Sequence, residues 1–457
     1  MAMPPASDPA SRLLPVWTEW RALVALGFPL ALTQLGQIAI NTTDLVMMGW
    51  LGTEALAAGG LAVSIWILPG LAGIGLGIAV SPLVAQALAA RQARQVRRSV
   101  RQGLWVVFAF MLPAALGLAH LGPLLELLGQ APSTVLGAEA YLRASAPGLP
   151  FAAGVVVLRA FVSGFGNTRA ILVVMGCAVV GNAISNYLLM FGHFGLPRLE
   201  LVGAGISSSL VNLLSFVALA VVVARRRPYR RYHVFGRFWR PDWATFGRIV
   251  KLGLPIALTL LFEVGMFSAA GILMGTVGTL PLAAHNVAMQ LCSIVFMVPL
   301  GFSQAATIRV ALAAGAGDRA RVRLAGWLAV ALVGGFMLLP AVVFWTLPHV
   351  LVRPFLDDPP AQAALVALVV RLMQVAAVFQ LADGLQVVTG GVLRGLKDTA
   401  VPMVFAFVGY WLIGFGSAAM GLLVLGFGPL VVWLGLAVGL TLTAGLGLWR
   451  FHLLSRG

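Results

Sequence analysis

Apolar residues run along this chain in long blocks almost free of charge, and charges, prolines and Gly-Asn breaks separate the blocks into twelve. A helix needs about 20 mostly apolar residues to cross a bilayer. The pattern therefore predicts membrane-spanning helices over 22–48, 56–84, 103–122, 137–163, 168–191 and 203–224. A second set follows over 250–274, 281–307, 324–347, 361–393, 399–424 and 430–451.

The second set repeats the first. Residues 26–35, LGFPLALTQL, align with 252–261, LGLPIALTLL, at an offset of 226 with seven identities in ten. The same register, without a gap, aligns LGTEALAA (51–58) with VGTLPLAA (277–284) and RQARQVR (91–97) with GDRARVR (317–323). Self-similarity at a fixed period marks a repeat architecture. An even number of spans per repeat makes both halves enter the membrane from the same side, the parallel type of transporter repeat. The expected fold is thus an all-α integral membrane protein, with twelve transmembrane helices in two six-helix bundles related by a pseudo-two-fold axis along the membrane normal. The expected division is a cytoplasmic tail over 1–16, an N-lobe over 17–225, a basic linker over 226–248 and a C-lobe over 249–457. Pro29 and Pro255 occupy matching repeat positions and are expected to kink the first helix of each half.

Composition agrees. Sixty percent of the 457 residues are hydrophobic and 10% charged, with a mean hydropathy of +0.98, whereas a soluble domain carries roughly 25% charged residues. The net charge of +16 would suit a nucleic-acid binder, but the arginines sit in short loops between spans. They crowd 91–101 and 225–251 and are nearly absent from 50–55, 193–202, 276–281 and 348–359. Cytoplasmic loops collect Lys and Arg, so both termini are expected in the cytoplasm of a bacterial inner-membrane protein. The arginines meet anionic lipid there, and no nucleic-acid partner is expected. Residues 1–16 lack the basic-then-apolar pattern of a cleaved signal. Cys177 and Cys292 lie inside spans without CxxC spacing, so neither a disulfide nor a metal site is expected. The Asp357-Asp358-Pro-Pro run has no second acidic cluster and reads as a turn. With no Walker, Gly-x-Ser-x-Gly or His-Glu-x-x-His motif in the chain, neither an enzyme nor an ATP-driven pump is expected, and no cofactor.

Of fourteen acids, three stand deep in apolar sequence: Asp44, Glu263 and Asp383. A charge at the bilayer centre costs at least roughly 2.5–3.5 kcal/mol, so such residues face protein or water and are functional by default. Asp44 ends a polar stripe of Thr33, Gln37, Asn41 and Asp44 on one helical face. Glu263 has Thr259 one turn before it and corresponds to Gln37 in the first repeat, while Asp44 corresponds to Ala270. The repeat has kept the backbone and moved the charge, which predicts different work for the two halves. Asp383 is flanked by Gln380 and Gln386. Two carboxylates in one dry site do not ionise together cheaply, so Glu263 and Asp383 predict a bound cation or a shared proton. Asn182 and Asn186, four residues apart, either reach Asp44 or make ordinary interhelical hydrogen bonds. Asn286, Gln290 and Ser293 form another stripe that either lines a cavity or packs.

The stretches NTTDLVMMGWLG, LGLPIALTLLFEVGMFSA, LAAHNVAMQ and DGLQVVTGGVLRGLKDT carry a resemblance to the multidrug and toxic compound extrusion family, in its NorM-like branch. The resemblance runs over nearly the whole chain. It implies an antiporter that couples entry of H⁺ or Na⁺ to export of cationic, often aromatic small molecules, expected to act as a monomer. By that likeness Glu263 and Asp383 match the second-lobe cation site. Asp44 matches the first-lobe site, with Asn182, Asn186 and Ser208 around it. Gln37, Asn41, Thr259, Asn286, Gln290, Phe379 and Gln386 are further candidates for the cavity wall. Phe379 stands where NorM-like members can carry a tyrosine, and Asn186 where some carry aspartate. Both departures weaken a Na⁺ site and favour protons, which need no cage of oxygen ligands. A flippase for lipid-linked precursors on the same fold is the alternative. It would be expected to line its cavity with arginine or lysine, whereas the deep ionisable residues here read as acids.

Overall fold

The computed structural model describes residues 9–127, 129–236, 238–355 and 363–456, with side chains from residue 16 onward. Among the described residues there is no strand, and twelve helices are long and apolar enough to cross a membrane. They are α1 (Val16–Trp50), α2 (Thr53–Ala89), α3 (Ala93–Leu118), α4 (Pro132–Ser163), α5 (Arg169–Phe191) and α6 (Glu200–Arg225), then α7 (Trp243–Val277), α8 (Thr279–Gly315), α9 (Arg319–Thr346), α10 (Ala363–Gly395), α11 (Ala400–Val424) and α12 (Leu430–Arg456). Each coincides with one predicted span. Most run a few residues longer, because helical hydrogen bonding continues past the point where charges interrupt the apolar pattern. The Asp357-Asp358 run lies outside the described residues.

The compact units do not divide at the expected linker. One, here the C-unit, joins Met1–Ala31 to Glu263–Gly457; the other, the N-unit, is Leu32–Phe262. The chain therefore passes from one unit to the other inside α1 and inside α7. The reason lies in small residues that let backbones meet. A Cβ on Gly301 would sit 2.3 Å from the Ala31 backbone nitrogen, and one on Gly27 2.4 Å from the Phe302 ring. In the N-unit, a Cβ on Gly75 would sit 2.4 Å from Ala257 Cα, and one on Gly253 2.9 Å from Leu76 Cα. Residues 27, 31, 75 and 76 become 253, 257, 301 and 302 under the offset of 226, so these contacts are repeat mates. The first part of α1 packs on α8 and the first part of α7 packs on α2. Each half lends the start of its first helix to the other.

The C-unit secures its borrowed arm further. Glu19, only 2% exposed, accepts hydrogen bonds from Arg309 Nε and Nη2, both at 2.6 Å, and from Arg321 Nε at 3.2 Å. The corresponding N-unit positions are Thr245, Leu83 and Gln95, so this clamp exists once. Glu19 reads in the sequence as an acid near a span end, and the structure makes it a buried anchor.

The basic segment after α6 is folded onto the N-unit. Tyr229 is buried with its ring 5.2 Å from Phe165 and 5.9 Å from Phe161. Trp105 Nε1 donates to the Phe238 carbonyl at 3.0 Å, and Arg98 pairs with Asp242 at 3.4 Å. Arg226, Arg227, Arg230 and Arg231 are left exposed.

α11 is wound unusually. Its segments Phe407–Phe415 and Met420–Val424 are π-helical. Gly409 and Gly414 lie against Gly435, Gly439 and Thr443 of α12, where a Cβ on Gly409 would come within 2.0 Å of Thr443 Oγ1. Small residues at such crossings let membrane helices pack backbone to backbone. π-winding is rare and frequent at functional sites.

Candidate functional site

Among the described residues, and apart from the arginine-clamped Glu19, each unit holds one buried acidic centre. In the N-unit, Asp44 is buried on α1, and Asn182 and Asn186, both buried on α5, donate to its Oδ1, Asn182 at 3.0 Å. Ser208 of α6 lies near the same carboxylate. The spacing of the two asparagines places both amides one turn apart on the face of α5 that meets α1. Their Oδ1 atoms are buried and have no hydrogen-bond partner among the protein atoms. The centre is thus one carboxylate with two amide donors engaged and two amide oxygens still able to accept. Tyr141 of α4, buried, lies beside Ser208 and Asp44.

In the C-unit, Glu263 on α7 and Asp383 on α10 are joined by one side chain. Gln386 Nε2 donates to Glu263 Oε1 at 3.3 Å and to Asp383 Oδ1 at 3.2 Å. All three are buried. Tyr410 of α11, fully buried, donates its phenol to Gln386 Oε1 at 2.7 Å. One turn before Asp383, Gln380 is buried with both amide atoms unpartnered by protein hydrogen-bonding groups.

The remaining sequence candidates fall elsewhere. Phe379, expected on a cavity wall, is buried with its ring 5.9 Å from Phe267 and 5.7 Å from Trp433. A phenyl ring with no polar atom to satisfy packs fully, and the neighbouring aromatics take it. Thr259 does not reach Glu263; its hydroxyl donates to the Pro255 carbonyl of its own helix at 2.8 Å. Gln37 and Asn41 are exposed on α1, as are Asn286 and Gln290 on α8. Ser293 donates to the Gln290 carbonyl at 2.9 Å. The stripe on α1 is thus split, with Thr33 and Asp44 buried and Gln37 and Asn41 on the unit surface.

The expectation that the deep ionisable residues are all acids needs correction. Arg394 lies inside α10, not in the loop after it, and its Nη2 donates to Ser303 Oγ at 2.8 Å. Arg159 of α4 reaches Gln34 Oε1 at 3.4 Å. Both sit within about a turn of the end of their helix, whereas Glu263 and Asp383 are twelve or more residues from either end of theirs. Tyr410, Tyr141 and Arg394 do not stand out in the sequence. A usable signal is there, because a tyrosine buried in an apolar span needs a partner for its hydroxyl. Among the described residues no three His, Cys, Asp or Glu side chains come together as a metal site requires.

Chemically, the C-unit centre brings two carboxylates under one neutral amide donor in an interior without bulk water. Such a pair does not keep both charges uncompensated; it takes up a proton or a cation.

Comparison with known proteins identifies the family. A family model described as MatE matches residues 29–188 and 255–420, two stretches that begin 226 residues apart, the offset of the repeat. The chain is 43% identical over 437 residues to a protein named probable multidrug resistance protein NorM in Mesorhizobium japonicum, covering 95% of this chain and 93% of that one. It is 44% identical to the protein of the same name in Rhizobium meliloti, with 96% and 94% covered. Among solved structures, a eukaryotic MATE transporter, AtDTX14, superposes with a TM-score of 0.87 at 20% identity, covering 96% of both chains.

Proposed function

Since the chain belongs to the MatE family and is a multidrug efflux transporter of the bacterial inner membrane, we propose that it is an antiporter driven by protons. The observation that carries this reading is the pair Glu263 and Asp383 sharing the Gln386 amide. While the pair is unloaded, its negative charge favours a cationic, aromatic substrate. Loading protons onto the pair removes that charge and favours release of the substrate outward. Asp44 with its two asparagines is a second acidic centre, and the unlike chemistry of the two units assigns them different steps.

Protons are favoured over Na⁺ by Phe379, which supplies no oxygen beside Asp383, and by Asn186, an amide where a carboxylate would bind Na⁺ more strongly. Lipid-linked anionic cargo is disfavoured because the two mid-span groups are acids, and the arginines lie near helix ends. The exposed arginines of the segment after α6 face the cytoplasm in this reading, together with both termini.

The test is uptake of the fluorescent cation ethidium into vesicles carrying the purified protein, driven in turn by a pH gradient and by a Na⁺ gradient. Transport is expected to follow the pH gradient and to collapse with a protonophore at constant Na⁺. Full activity on a Na⁺ gradient with the protonophore present would overturn the choice of ion.

A further inference from the structure

We propose that Tyr410 is a positioning residue for the carboxylate pair: its phenol holds the Gln386 amide so that both amide hydrogens face Glu263 and Asp383. The inference rests on the reading that this pair carries the coupling ion.

An amide has two unlike ends. Its oxygen only accepts hydrogen bonds and its nitrogen only donates. The last torsion of a glutamine side chain is broad and roughly two-fold, so Gln386 alone could turn either end toward the acids. Turned the wrong way, it would place oxygen lone pairs against carboxylate oxygens. The phenol, acting as donor, weights the amide toward the right orientation. It donates to Oε1 at 2.7 Å, a bond that only the amide oxygen accepts, and this leaves Nε2 between Glu263 Oε1 at 3.3 Å and Asp383 Oδ1 at 3.2 Å. Every amide group is then used, and the two acids are tied to each other through one donor.

The placement of Tyr410 is itself maintained by packing. It is fully buried on the π-wound part of α11, next to Gly409, whose Cα approaches Thr443 of α12 too closely for any side chain. Its neighbour Trp411 lies against Gly265 of α7, two residues from Glu263, where a Cβ would be 3.0 Å from the indole. The charged groups around the phenol are Glu263, Asp383 and Arg394. Arg394 donates its Nη2 to Ser303 Oγ, and the hydrogen bond to the Gln386 oxygen comes from Tyr410.

The consequence is mechanistic. With the amide fixed, the two carboxylates see the same donor, and an incoming proton is taken up by the pair as a unit. With the amide free to turn, the acids lose their common donor, and loading is expected to shift along the pH axis and slow.

A double-mutant cycle with the full-length protein in vesicles tests this. Tyr410→Phe keeps the ring and removes the hydroxyl; Gln386→Leu removes the amide. Ethidium uptake is measured across external pH on whichever gradient drives the wild-type protein, so an error about the coupling ion shows in the wild type and leaves the cycle readable. Each single substitution is expected to lower coupled uptake about tenfold and to move the pH profile, and the double variant to be no worse than Gln386→Leu. Residues that act through one another lose additivity in this way. Losses that multiply in the double variant would overturn the proposal, as would a Tyr410→Phe protein with wild-type rate and pH profile. A loss from Tyr410→Phe larger than that from Gln386→Leu would also overturn it, because the phenol would then act elsewhere. Infrared carboxyl bands recorded on acidification give a second readout in detergent, where transport is not needed. Tyr410→Phe and Gln386→Leu are expected to shift the same bands, and unshifted bands in Tyr410→Phe would count against the proposal.

Discussion

Glu263 and Asp383 are the residues at which a single atom exchange separates chemistry from packing. Replacing one carboxylate oxygen by an amide group keeps the side-chain volume, and an acid in mid-membrane contributes nothing to insertion, where it costs at least roughly 2.5–3.5 kcal/mol. Glu263→Gln and Asp383→Asn are therefore each expected to abolish coupled drug export while membrane levels of the protein stay at the wild-type amount. Drug-resistance assays paired with immunoblots of isolated membranes check both halves of that statement, and normal resistance would remove these acids from the coupling step. Their legibility in the sequence follows from isolation, since a lone acid in an apolar run is too costly to insert for the sake of packing. Tyr410 and Tyr141 are not legible, because an amphipathic aromatic ring looks like any other span residue until its hydroxyl is seen to have a partner. Arg394 passes for a loop residue for a related reason: a charge near a span end looks the same whether it points outward to water or back toward Ser303.

The helices carry their own test at the places where the exchanged arms dock. Gly301 and Gly75 face backbone atoms at 2.3 Å and 2.4 Å from where a Cβ would stand, and a neighbouring backbone has no rotamer with which to yield. Overpacking of a well-filled interior costs roughly 1–3 kcal/mol. Gly301→Val and Gly75→Val should each lower the thermal unfolding midpoint in detergent. Gly60→Val, on α2 with nothing within 4 Å of its Cβ position, should leave it near the wild-type value; equal shifts in all three would discredit the docking contacts. The number and order of helices are readable because twenty apolar residues admit little else. The π-winding of α11 is not, since apolar composition is the same for either winding and the cause is a glycine face on α12. The docking of each arm is hidden as well. A repeat tells which residues correspond, but not which copy they pack against.

For the molecule as a whole, the proposed cytoplasmic placing of the arginines fixes the expected direction of transport relative to the cell. In a protein with Cys177 and Cys292 replaced, a cysteine at Arg230 should resist a membrane-impermeant thiol reagent added to intact cells. A cysteine at Leu196, in the loop between α5 and α6, should react. The opposite pattern would invert the topology and with it the sense of the proton gradient. The reciprocal placing of the arms reaches further back than any of these tests. A half-length chain, translated alone, would extend the start of its first helix with no groove of its own to receive it, unless a second copy offered one and received one in return. That is a two-fold homodimer joined by exchanged helices, a form that closes on itself and exposes no unpaired arm. Joining two such copies end to end adds a tether and needs no new contact, after which the copies are free to diverge. The Glu19 clamp, the carboxylate pair and the Asp44 centre, each present in one unit only, are what such divergence would leave.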